Sequence, residues 1–386
     1  MDVGRWPAIW LRDNCPCPDC RVPGSGQKLF QITELPDELI VTAVEEDADS
    51  VTVTFGPDGH RSRFDRSWLA ATERAGAGGD IRTEDSKRLW SGPGPALPTS
   101  GWEHYRTDPV VQVRVLDAVL TDGFALLHGV PVQAGMVAAV AETFGYVRET
   151  NYGRVFDVRV EPTPANLAST GLALSPHTDN PYRDPVPTLQ LLHCQASAAD
   201  GGDTLLVDGF AAAHRLRVED PRSFGVLTRT PVPFGYPVAG LRAYQPLIEL
   251  SPEGRIRGIR FNNRSLQALR RPPGEVTAFY VAYRRWAALL ARPELALALR
   301  LAPGDCLIFD NTRVLHGRTA FTGPGDRLLQ GCYADLDALA GTLALLKETA
   351  RTETALAETA LAETALTETA LAEKGVMTGG SGGRDR

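Results

Sequence analysis

The chain has 386 residues, 43% of them hydrophobic, and a formal net charge of −7. This length and composition are typical of a globular protein with one large and one small domain. The negative charge argues against a nucleic-acid groove as the main surface. Because no run of about 18 apolar residues occurs, no membrane span is expected.

Two features of the sequence predict a cytoplasmic location. The first residues, MDVGRWPAIW, lack the basic-then-apolar pattern of a signal peptide. Three of the six cysteines stand singly in apolar stretches, as buried thiols of a reducing compartment do. They are Cys194, Cys306 and Cys332.

The N-terminal segment is predicted to be β-rich and to bind zinc. Residues 6–13 are strand-like, and Cys15, Cys17 and Cys20 follow at spacings too short for easy disulfides with one another. These three thiolates and His60 can instead form a tetrahedral zinc site, which would staple a domain too small for a large core. The alternative is a surface cysteine cluster with His60 in an unrelated turn.

Composition divides the chain into four predicted segments. Residues 1–90 form the small N-terminal domain, and residues 91–108 form a linker in a stretch rich in Gly, Pro and charge. Residues 109–347 form the main domain. Residues 348–386 form a low-complexity tail of Glu-Thr-Ala-Leu-Ala repeats, to which we assign no catalytic role.

The main domain mixes helices and strands. We predict a helix over 108–121, a strand in 123–131 and a short helix over 137–144. Residues 209–260 are predicted to form a helix followed by loop. Residues 272–299 are mostly a long amphipathic helix, because their aromatic and leucine residues recur near helical spacing, and Pro293 is expected to break it near its end.

One stretch carries the strongest chemical signal. His177-Thr-Asp179 precedes an apolar strand at Leu189–Cys194, a Gly-Gly turn and a second strand at Thr204–Val207. On an extended segment, His177 and Asp179 point to the same side. An imidazole and a carboxylate aimed at one point are two thirds of a facial triad for non-haem Fe(II). Alone, such a motif is more often a surface turn or a satisfied hydrogen bond.

A second apolar stretch supplies the missing ligand. His316 follows the strand predicted at 305–310, and Arg327 comes eleven residues later, just before the apolar run Leu328–Tyr333. A buried arginine beside a metal site is suited to hold a carboxylate through paired hydrogen bonds. The sequence therefore predicts an iron site with an anion-binding arginine beside it.

The order of these motifs resembles a known family. His-x-Asp is followed by Gly-Gly-Asp-Thr, Asp-Asn-x-Arg-x-x-His-Gly-Arg, an Arg and Gly-x-Tyr-x-Asp. This order is similar to that of the Fe(II)/2-oxoglutarate oxygenases of the taurine dioxygenase superfamily, most of all the γ-butyrobetaine and trimethyllysine hydroxylase branch, over about residues 6–345. The resemblance implies a mainly β fold with flanking helices: a double-stranded β-helix (jelly roll) catalytic domain plus a small zinc domain.

The resemblance also implies cofactors and their ligands. His177, Asp179 and His316 would hold Fe(II), and 2-oxoglutarate and O₂ would take the three open positions. Arg327, assisted by Thr204, would pair with the far carboxylate of 2-oxoglutarate. Ascorbate would serve as reductant in vitro. Related halogenases lack the carboxylate of Asp179, so halogenation is not expected.

A quaternary ammonium group is held by aromatic faces, because it has no proton to donate. The resemblance places Tyr152 and Tyr333 at cage positions of the butyrobetaine hydroxylases, with Phe156 where a tryptophan is usual. Ser169 stands where that family has a tyrosine, so the cage is thinned. Asn166, in the same stretch, is also expected to contact substrate.

The predicted substrate follows from three further residues. Tyr182, Asn263 and Arg264 resemble the branch that hydroxylates 2-(trimethylammonio)ethylphosphonate, and an added cation and hydroxyl suit the extra charge of a phosphonate. The alternative is that neither residue binds substrate: Arg264 points to solvent, and Tyr182 packs on a lid over the active site. The alternatives are γ-butyrobetaine hydroxylation to carnitine and, in another class, a non-catalytic 2-oxoglutarate-sensing metal-binding protein. A homodimer is possible by analogy.

Overall fold

The structure, a computed structural model, describes residues 5–74, 81–92, 97–160, 170–197, 200–322 and 327–354. The chain divides into two compact units, Met1–Asp80 and Ile81–Arg386. The second unit thus begins before the predicted boundary at residue 90. The reason is that Trp90 is buried in the core of this unit, where its indole N–H donates to the Asp122 carbonyl at 2.7 Å.

The first unit is a small α+β domain. Its elements are α1 (Ala8–Asp13), β1 (Ile40–Glu46), β2 (Ser50–Gly56), β3 (Arg61–Asp65) and α2 (Arg66–Arg74). The strands form an antiparallel sheet in the order β1-β2-β3. Alternate residues of β2 are buried, and with Leu11 of α1 and Leu69 of α2 they make a compact core.

The strand predicted at residues 6–13 is wrong, because this segment forms α1. Pro7 precedes the first helical residue, where its fixed φ and missing N–H are tolerated. Trp6, just before the helix, and Trp10, within it, stack at 4.2 Å between ring centroids. The Asn14 side chain donates to the Trp10 carbonyl and ends the helix. Apolar residues at this spacing suit either element, and the Pro and Asn at the ends decide for the helix.

The second unit is built on two β-sheets with helices outside them. Its helices are α3 (Trp102–Thr107), α4 (Pro109–Thr121), α5 (Met136–Ala141), α6 (Gly209–Glu219), α7 (Pro221–Arg229), α8 (Pro273–Leu290) and α9 (336–354). Its strands are β4 (Thr99–Gly101), β5 (Phe124–His128), β6 (Phe156–Arg159), β7 (Leu174–His177), β8 (Leu189–Ala196), β9 (Asp200–Gly201), β10 (Thr204–Asp208), β11 (Val232–Tyr236), β12 (Leu241–Gln245), β13 (Ile248–Leu250), β14 (Ile256–Ile259), β15 (Ala296–Leu299), β16 (Cys306–Asp310), β17 (Val314–Arg318), β18 (Phe321–Thr322) and β19 (Leu328–Ala334).

The main strands alternate between the two sheets along the chain. The larger sheet has the order β4-β5-β16-β8-β19-β6, and the smaller has the order β15-β10-β17-β7. The chain passes from β7 to β8 to β10, and later from β16 to β17 to β19, changing sheet each time. This connectivity is that of the double-stranded β-helix which the resemblance implies.

Period-two alternation gives the strands two buried faces. In β8, Leu189 and Leu191 pack with α3, α4, α5 and α9, whereas Leu192 and Cys194 face the smaller sheet. In the smaller sheet, the outer residues Val207 and Leu315 pack with α6, α7 and α8. Strands covered on both sides read as continuous apolar runs, which is why they were recognisable in the sequence. The inner faces carry the functional site.

Two further predicted elements differ from the structure. The predicted linker 91–108 contains β4 and α3. The loop predicted within 209–260 contains α7 and the antiparallel pairs β11–β12 and β13–β14. The long helix predicted within 272–299 is confirmed as α8, and it ends at Leu290, just before the break expected at Pro293. The following residues form β15, whose Leu297 and Leu299 pack between the sheets.

The predicted tail continues a helix for its first residues. Residues 348–354 belong to α9, and the remaining repeats lie outside the described residues. Within the described ranges, no helix combines the length and apolar character needed to cross a membrane.

Candidate active site

Two strands of the smaller sheet and the bend after one of them bring the three predicted metal ligands together. His177 ends β7 and lies opposite His316 of β17 in the strand register. Asp179 follows in the bend. Its carboxylate oxygens lie 3.4 Å from His177 Nε2 and 3.8 Å from His316 Nε2. The three ligand atoms all lie within 4.8 Å of one another, so one metal ion can meet all three.

The protonation states of these residues fit a metal site. Burial, followed by the neighbouring charge of His177, lowers the pKa of His316 to about 3. Burial alone would raise the pKa of Asp179, but the hydrogen bond from His177 and the charges of His316 and His177 lower it below its usual value. At neutral pH the site therefore offers a neutral imidazole and an ionised carboxylate, as metal ligation requires. Two imidazoles and one carboxylate are the donor set of non-haem Fe(II) oxygenases.

The backbone of Asp179 is fixed by a buried amide. Asn311 Oδ1 accepts from the Asp179 N–H at 2.8 Å, and Asn311 Nδ2 donates to the Asp179 carbonyl at 3.0 Å. The next residue, Asn180, has a φ of 54°. Asparagine tolerates this left-handed conformation better than most residues do. The ligand therefore sits on a turn held from both sides.

Arg327 lies beside the Gly-Gly turn and lines the cavity that also contains the triad residues. Its guanidinium donates to the Gly202 carbonyl at 3.4 Å, and Thr204 lines the same cavity. A Cβ at Gly202, where φ is +78°, would come within 3.1 Å of Arg327 Nε. Burial lowers the pKa of Arg327, yet a guanidinium stays charged at neutral pH. The arrangement is suited to a carboxylate, as predicted for 2-oxoglutarate.

Arg318 is a site residue to which the sequence analysis gave no role. It lines the cavity and donates to the carbonyls of Thr170 and Leu172 at 2.6 Å and 2.7 Å. Burial, together with the charges of Arg327 and Arg264, lowers its pKa to about 10. Its signal was present in the His-Gly-Arg motif, where position 318 shares a strand face with His316.

Five aromatic rings form one wall of the cavity. Tyr333 and Phe156 stack with centroids 5.1 Å apart, and Phe156 is followed by Tyr152 at 6.0 Å. Tyr236 lies 6.0 Å from Tyr152 and 5.1 Å from Tyr182. The Tyr152 and Tyr182 hydroxyls are 3.0 Å apart. We call these five residues the aromatic wall. Tyr236 is the member that the sequence analysis did not place in the cage.

Glycine on β19 makes room for the wall. A Cβ at Gly331 would lie 2.5 Å from the ring of Phe156, so only glycine allows that ring to lie over the strand. Burial raises the pKa of Tyr152 to about 12, and its hydroxyl therefore stays protonated at neutral pH. The wall offers uncharged π faces, which attract a quaternary ammonium ion.

Arg264 adds a cation to the cavity that contains the triad and the wall. The cavity has a volume of about 490 Å³, and His177, Asp179, His316 and Arg264 all line it. Burial lowers the pKa of Arg264, and attraction to Asp179 opposes this shift. Arg264 thus lines the cavity while it is also exposed to solvent, whereas Tyr182 is buried in the cavity wall.

The remaining predicted substrate residues are placed differently. Asn263 is exposed and does not line the cavity; its Oδ1 accepts from the Tyr283 hydroxyl at 3.0 Å. The neighbouring Asn262 lines the cavity instead. Asn166 and Ser169 lie outside the described residues.

The first unit brings together the four predicted zinc ligands. His60 Nε2 lies 3.2 Å, 3.8 Å and 3.5 Å from the sulfurs of Cys15, Cys17 and Cys20. Burial, followed by the neighbouring Cys17 and Cys15 thiols, raises the pKa of Cys20 to about 12. Thiols crowded in this way ionise together only around a cation. Three sulfurs and one imidazole fit a closed structural zinc site.

We expect His60→Ala to weaken zinc binding by at least about a hundredfold, because losing a direct ligand costs more than losing an outer partner. The measurement is competition with a zinc chelator, followed by the thermal stability of the first unit. The matched control is His104→Ala, at an exposed histidine on α3 outside the cluster. Equal zinc affinity in the two variants would show that His60 is not a ligand.

Comparison with known proteins agrees with this geometry. Residues 100–333 match the taurine catabolism dioxygenase TauD, TfdA family. Residues 2–70 match the γ-butyrobetaine hydroxylase-like N-terminal family. The fold and the His-Asp-His site define a dioxygenase that depends on Fe(II) and 2-oxoglutarate. The chain belongs to the TauD/TfdA family.

The most similar relatives cover nearly the whole chain. A γ-butyrobetaine dioxygenase of Pseudomonas sp. (strain AK-1) is 35% identical over 88% of this chain and 90% of its own. The γ-butyrobetaine dioxygenase of Homo sapiens is 30% identical over 89% and 91%. A trimethyllysine dioxygenase of Meyerozyma guilliermondii is 30% identical over 88% and 89%. Among solved structures, an asparagine oxygenase shares the fold, with a TM-score of 0.51 and 19% identity over 71% of this chain and 92% of that chain.

These findings confirm the predicted enzyme class, its mainly β fold and its use of Fe(II), 2-oxoglutarate and O₂. They favour a catalyst over the non-catalytic sensor considered as an alternative. They give no support to the phosphonate substrate, since the relatives above are named for γ-butyrobetaine and trimethyllysine.

Proposed function

We propose that the protein hydroxylates γ-butyrobetaine to carnitine. The observation that carries this proposal is the placement of the aromatic wall and Arg264 in the same cavity as the iron ligands. γ-Butyrobetaine has a trimethylammonium group at one end and a carboxylate at the other. It therefore matches a cavity that offers π faces and, in Arg264, a guanidinium for the carboxylate. The two γ-butyrobetaine dioxygenases described above support the same substrate.

The residues of the cavity have separate tasks in this reaction. Bound Fe(II), with 2-oxoglutarate and O₂, supplies oxidation of a C–H bond to C–OH with release of succinate and CO₂. His177, Asp179 and His316 would hold the metal, and Arg327 with Thr204 would hold the far carboxylate of 2-oxoglutarate. The aromatic wall and Arg264 would fix the substrate at both ends, so that one carbon is presented to the metal.

The structure also bears on the competing substrates. Tyr182, expected to bind a phosphonate, has its hydroxyl 3.0 Å from that of Tyr152 and its ring stacked on Tyr236. The hydroxyl and the ring of Tyr182 therefore contact other members of the aromatic wall, which supports a role in the wall rather than in anion binding. Trimethyllysine ends in an ammonium group as well as a carboxylate, and that ammonium would be repelled by Arg264. γ-Butyrobetaine presents Arg264 with a carboxylate alone.

We expect Arg264→Gln to raise KM for γ-butyrobetaine by about tenfold or more, because a hydrogen bond to a charged group contributes roughly 1.5–3 kcal/mol. The measurement is steady-state succinate formation with varied substrate. The uncharged amide of γ-butyrobetaine serves as the second substrate, and its KM should not change, because it lacks the carboxylate.

The matched control variant is Arg242→Gln, which removes an exposed arginine of β12 that does not line the cavity. It should leave both KM values as they are. If Arg264→Gln raises the two KM values equally, Arg264 does not recognise the carboxylate and the substrate assignment loses its physical basis. The cytoplasmic location and the homodimer remain predictions.

A further inference from the structure

The iron ligand Asp179 receives two hydrogen bonds from the larger sheet. Gln190 Nε2 donates to Asp179 Oδ2 at 2.9 Å, and the Tyr333 hydroxyl donates to the same oxygen at 3.1 Å. Gln190 lies on β8 and Tyr333 on β19, directly opposite each other in the strand register. Their side chains leave the same inner face, so one cross-strand pair delivers both donors to one carboxylate oxygen.

Both donors are fixed in their roles. Gln190 is 1% exposed and Tyr333 is 3% exposed, so neither side chain exchanges its partner with bulk water. The Gln190 side-chain amide cannot adopt the flipped orientation, because its Oε1 would then face the carboxylate oxygen of Asp179. A carboxylate only accepts hydrogen bonds, so the tyrosine hydroxyl must donate. The other carboxylate oxygen, Oδ1, lies 3.4 Å from His177 Nε2.

We propose that Gln190 and Tyr333 are positioning residues for the iron ligand. Their two hydrogen bonds occupy Oδ2 and so leave Oδ1 as the ligand oxygen. Without them the carboxylate can rotate, or can offer both oxygens to the metal and cover a position that 2-oxoglutarate or O₂ needs. Outer partners of this kind contribute about 10–100-fold to metal affinity.

Tyr333 then has a second task, because its ring also belongs to the aromatic wall. The ring stacks on Phe156 while the hydroxyl holds Asp179. A cationic substrate bound to the aromatic wall would contact the same side chain that orients Asp179. Tyr333 is thus placed to link substrate binding to the geometry of the metal site, a link that the sequence interpretation of Tyr333 as a cage ring did not include.

The test measures the affinity for Mn²⁺, a redox-inert stand-in for Fe(II), by titration calorimetry of metal-free protein. Tyr333→Phe keeps the ring and removes the hydroxyl, and Gln190→Met keeps the length and removes the amide. Each variant is expected to bind Mn²⁺ about tenfold more weakly than the wild type. Tyr152→Phe is the matched control: it removes a cavity hydroxyl that bonds Tyr182 rather than Asp179, and it should leave Mn²⁺ affinity unchanged.

The outcomes separate positioning from a structural role. Unchanged Mn²⁺ affinity in Tyr333→Phe would overturn the proposal and leave Tyr333 as a cage ring only. Weaker affinity together with a lower thermal midpoint of the metal-free protein would indicate a folding defect and would count against the proposal. Gln190→Met, judged by the same two measurements, is the second variant. The Mn²⁺ affinities involve no organic substrate, so they stand apart from the γ-butyrobetaine assignment.

The link to the substrate has its own readout. In Tyr333→Phe, we expect more succinate per hydroxylated product than in the wild type. The ring against which the substrate lies no longer holds Asp179, so that 2-oxoglutarate is consumed without hydroxylation of the substrate. Gln190→Met leaves all five side chains of the aromatic wall unchanged and should show less of this excess at a similar loss of Mn²⁺ affinity. An equal excess in both variants would contradict the special place of Tyr333.

Discussion

His316→Ala is expected to reduce succinate formation by roughly a thousandfold or more. A bound metal lowers the activation barrier by several kcal/mol, and each 1.36 kcal/mol corresponds to a factor of ten in rate. The substitution leaves His177 and Asp179 as the remaining ligands of the site. The measurement is 2-oxoglutarate turnover with Fe(II) and ascorbate, alongside the metal content of the purified protein.

The control for this variant is His128→Ala. His128 is partly exposed, bonds Asp305 at 2.7 Å and does not line the cavity, so turnover should stay at the wild-type level. If His316→Ala keeps turnover within tenfold of the wild type, the His-Asp-His site is not the centre of the reaction.

Arg313→Met is expected to lower the free energy of unfolding of the second unit by about 3–5 kcal/mol, the cost of removing one partner of a buried ion pair. Arg313 and Asp208 are both 0% exposed, and the guanidinium meets the carboxylate at 2.8 Å and 3.1 Å. Arg313 also donates to the carbonyls of Thr121 and Arg88, so the substitution removes these hydrogen bonds together with the ion pair.

Urea unfolding followed by circular dichroism measures this loss. The matched control is Arg106→Met, which removes the exposed ion pair with Glu103 and should change stability by less than about 1 kcal/mol. Similar losses in the two variants would mean that the buried pair contributes no more than a surface pair.

The iron site could be predicted from sequence because its signals are local. His177 and Asp179 are two residues apart, and His316 lies in a run of buried strand residues that reads as apolar. Arg327 was recognisable because it directly precedes another such run. In each case, the neighbouring residues show which side chains a strand must carry inward.

The contacts that complete the site could not be read in this way. Gln190 and Tyr333 meet Asp179 only because two strands pair in one register, and register follows from the whole sheet rather than from either segment. Arg313 and Asp208 are 105 residues apart, and nothing near either residue indicates its partner.

Local ambiguity explains the incorrect elements. The apolar residues in 6–13 fit a strand as well as a helix, and the actual helix depends on Pro7 and on the Asn14 bond at its ends. In 209–260, the predicted loop contains the antiparallel pair β11–β12, because backbone pairing does not require a run of apolar side chains.

The central claim is γ-butyrobetaine hydroxylation, and product analysis tests it most directly. Purified protein with Fe(II), ascorbate and 2-oxoglutarate is given γ-butyrobetaine, trimethyllysine or 2-(trimethylammonio)ethylphosphonate, and succinate and hydroxylated product are measured together. We predict that γ-butyrobetaine gives the highest kcat/KM, with carnitine and succinate formed in equal amounts. A higher kcat/KM for either other compound, or succinate without carnitine, would contradict the account.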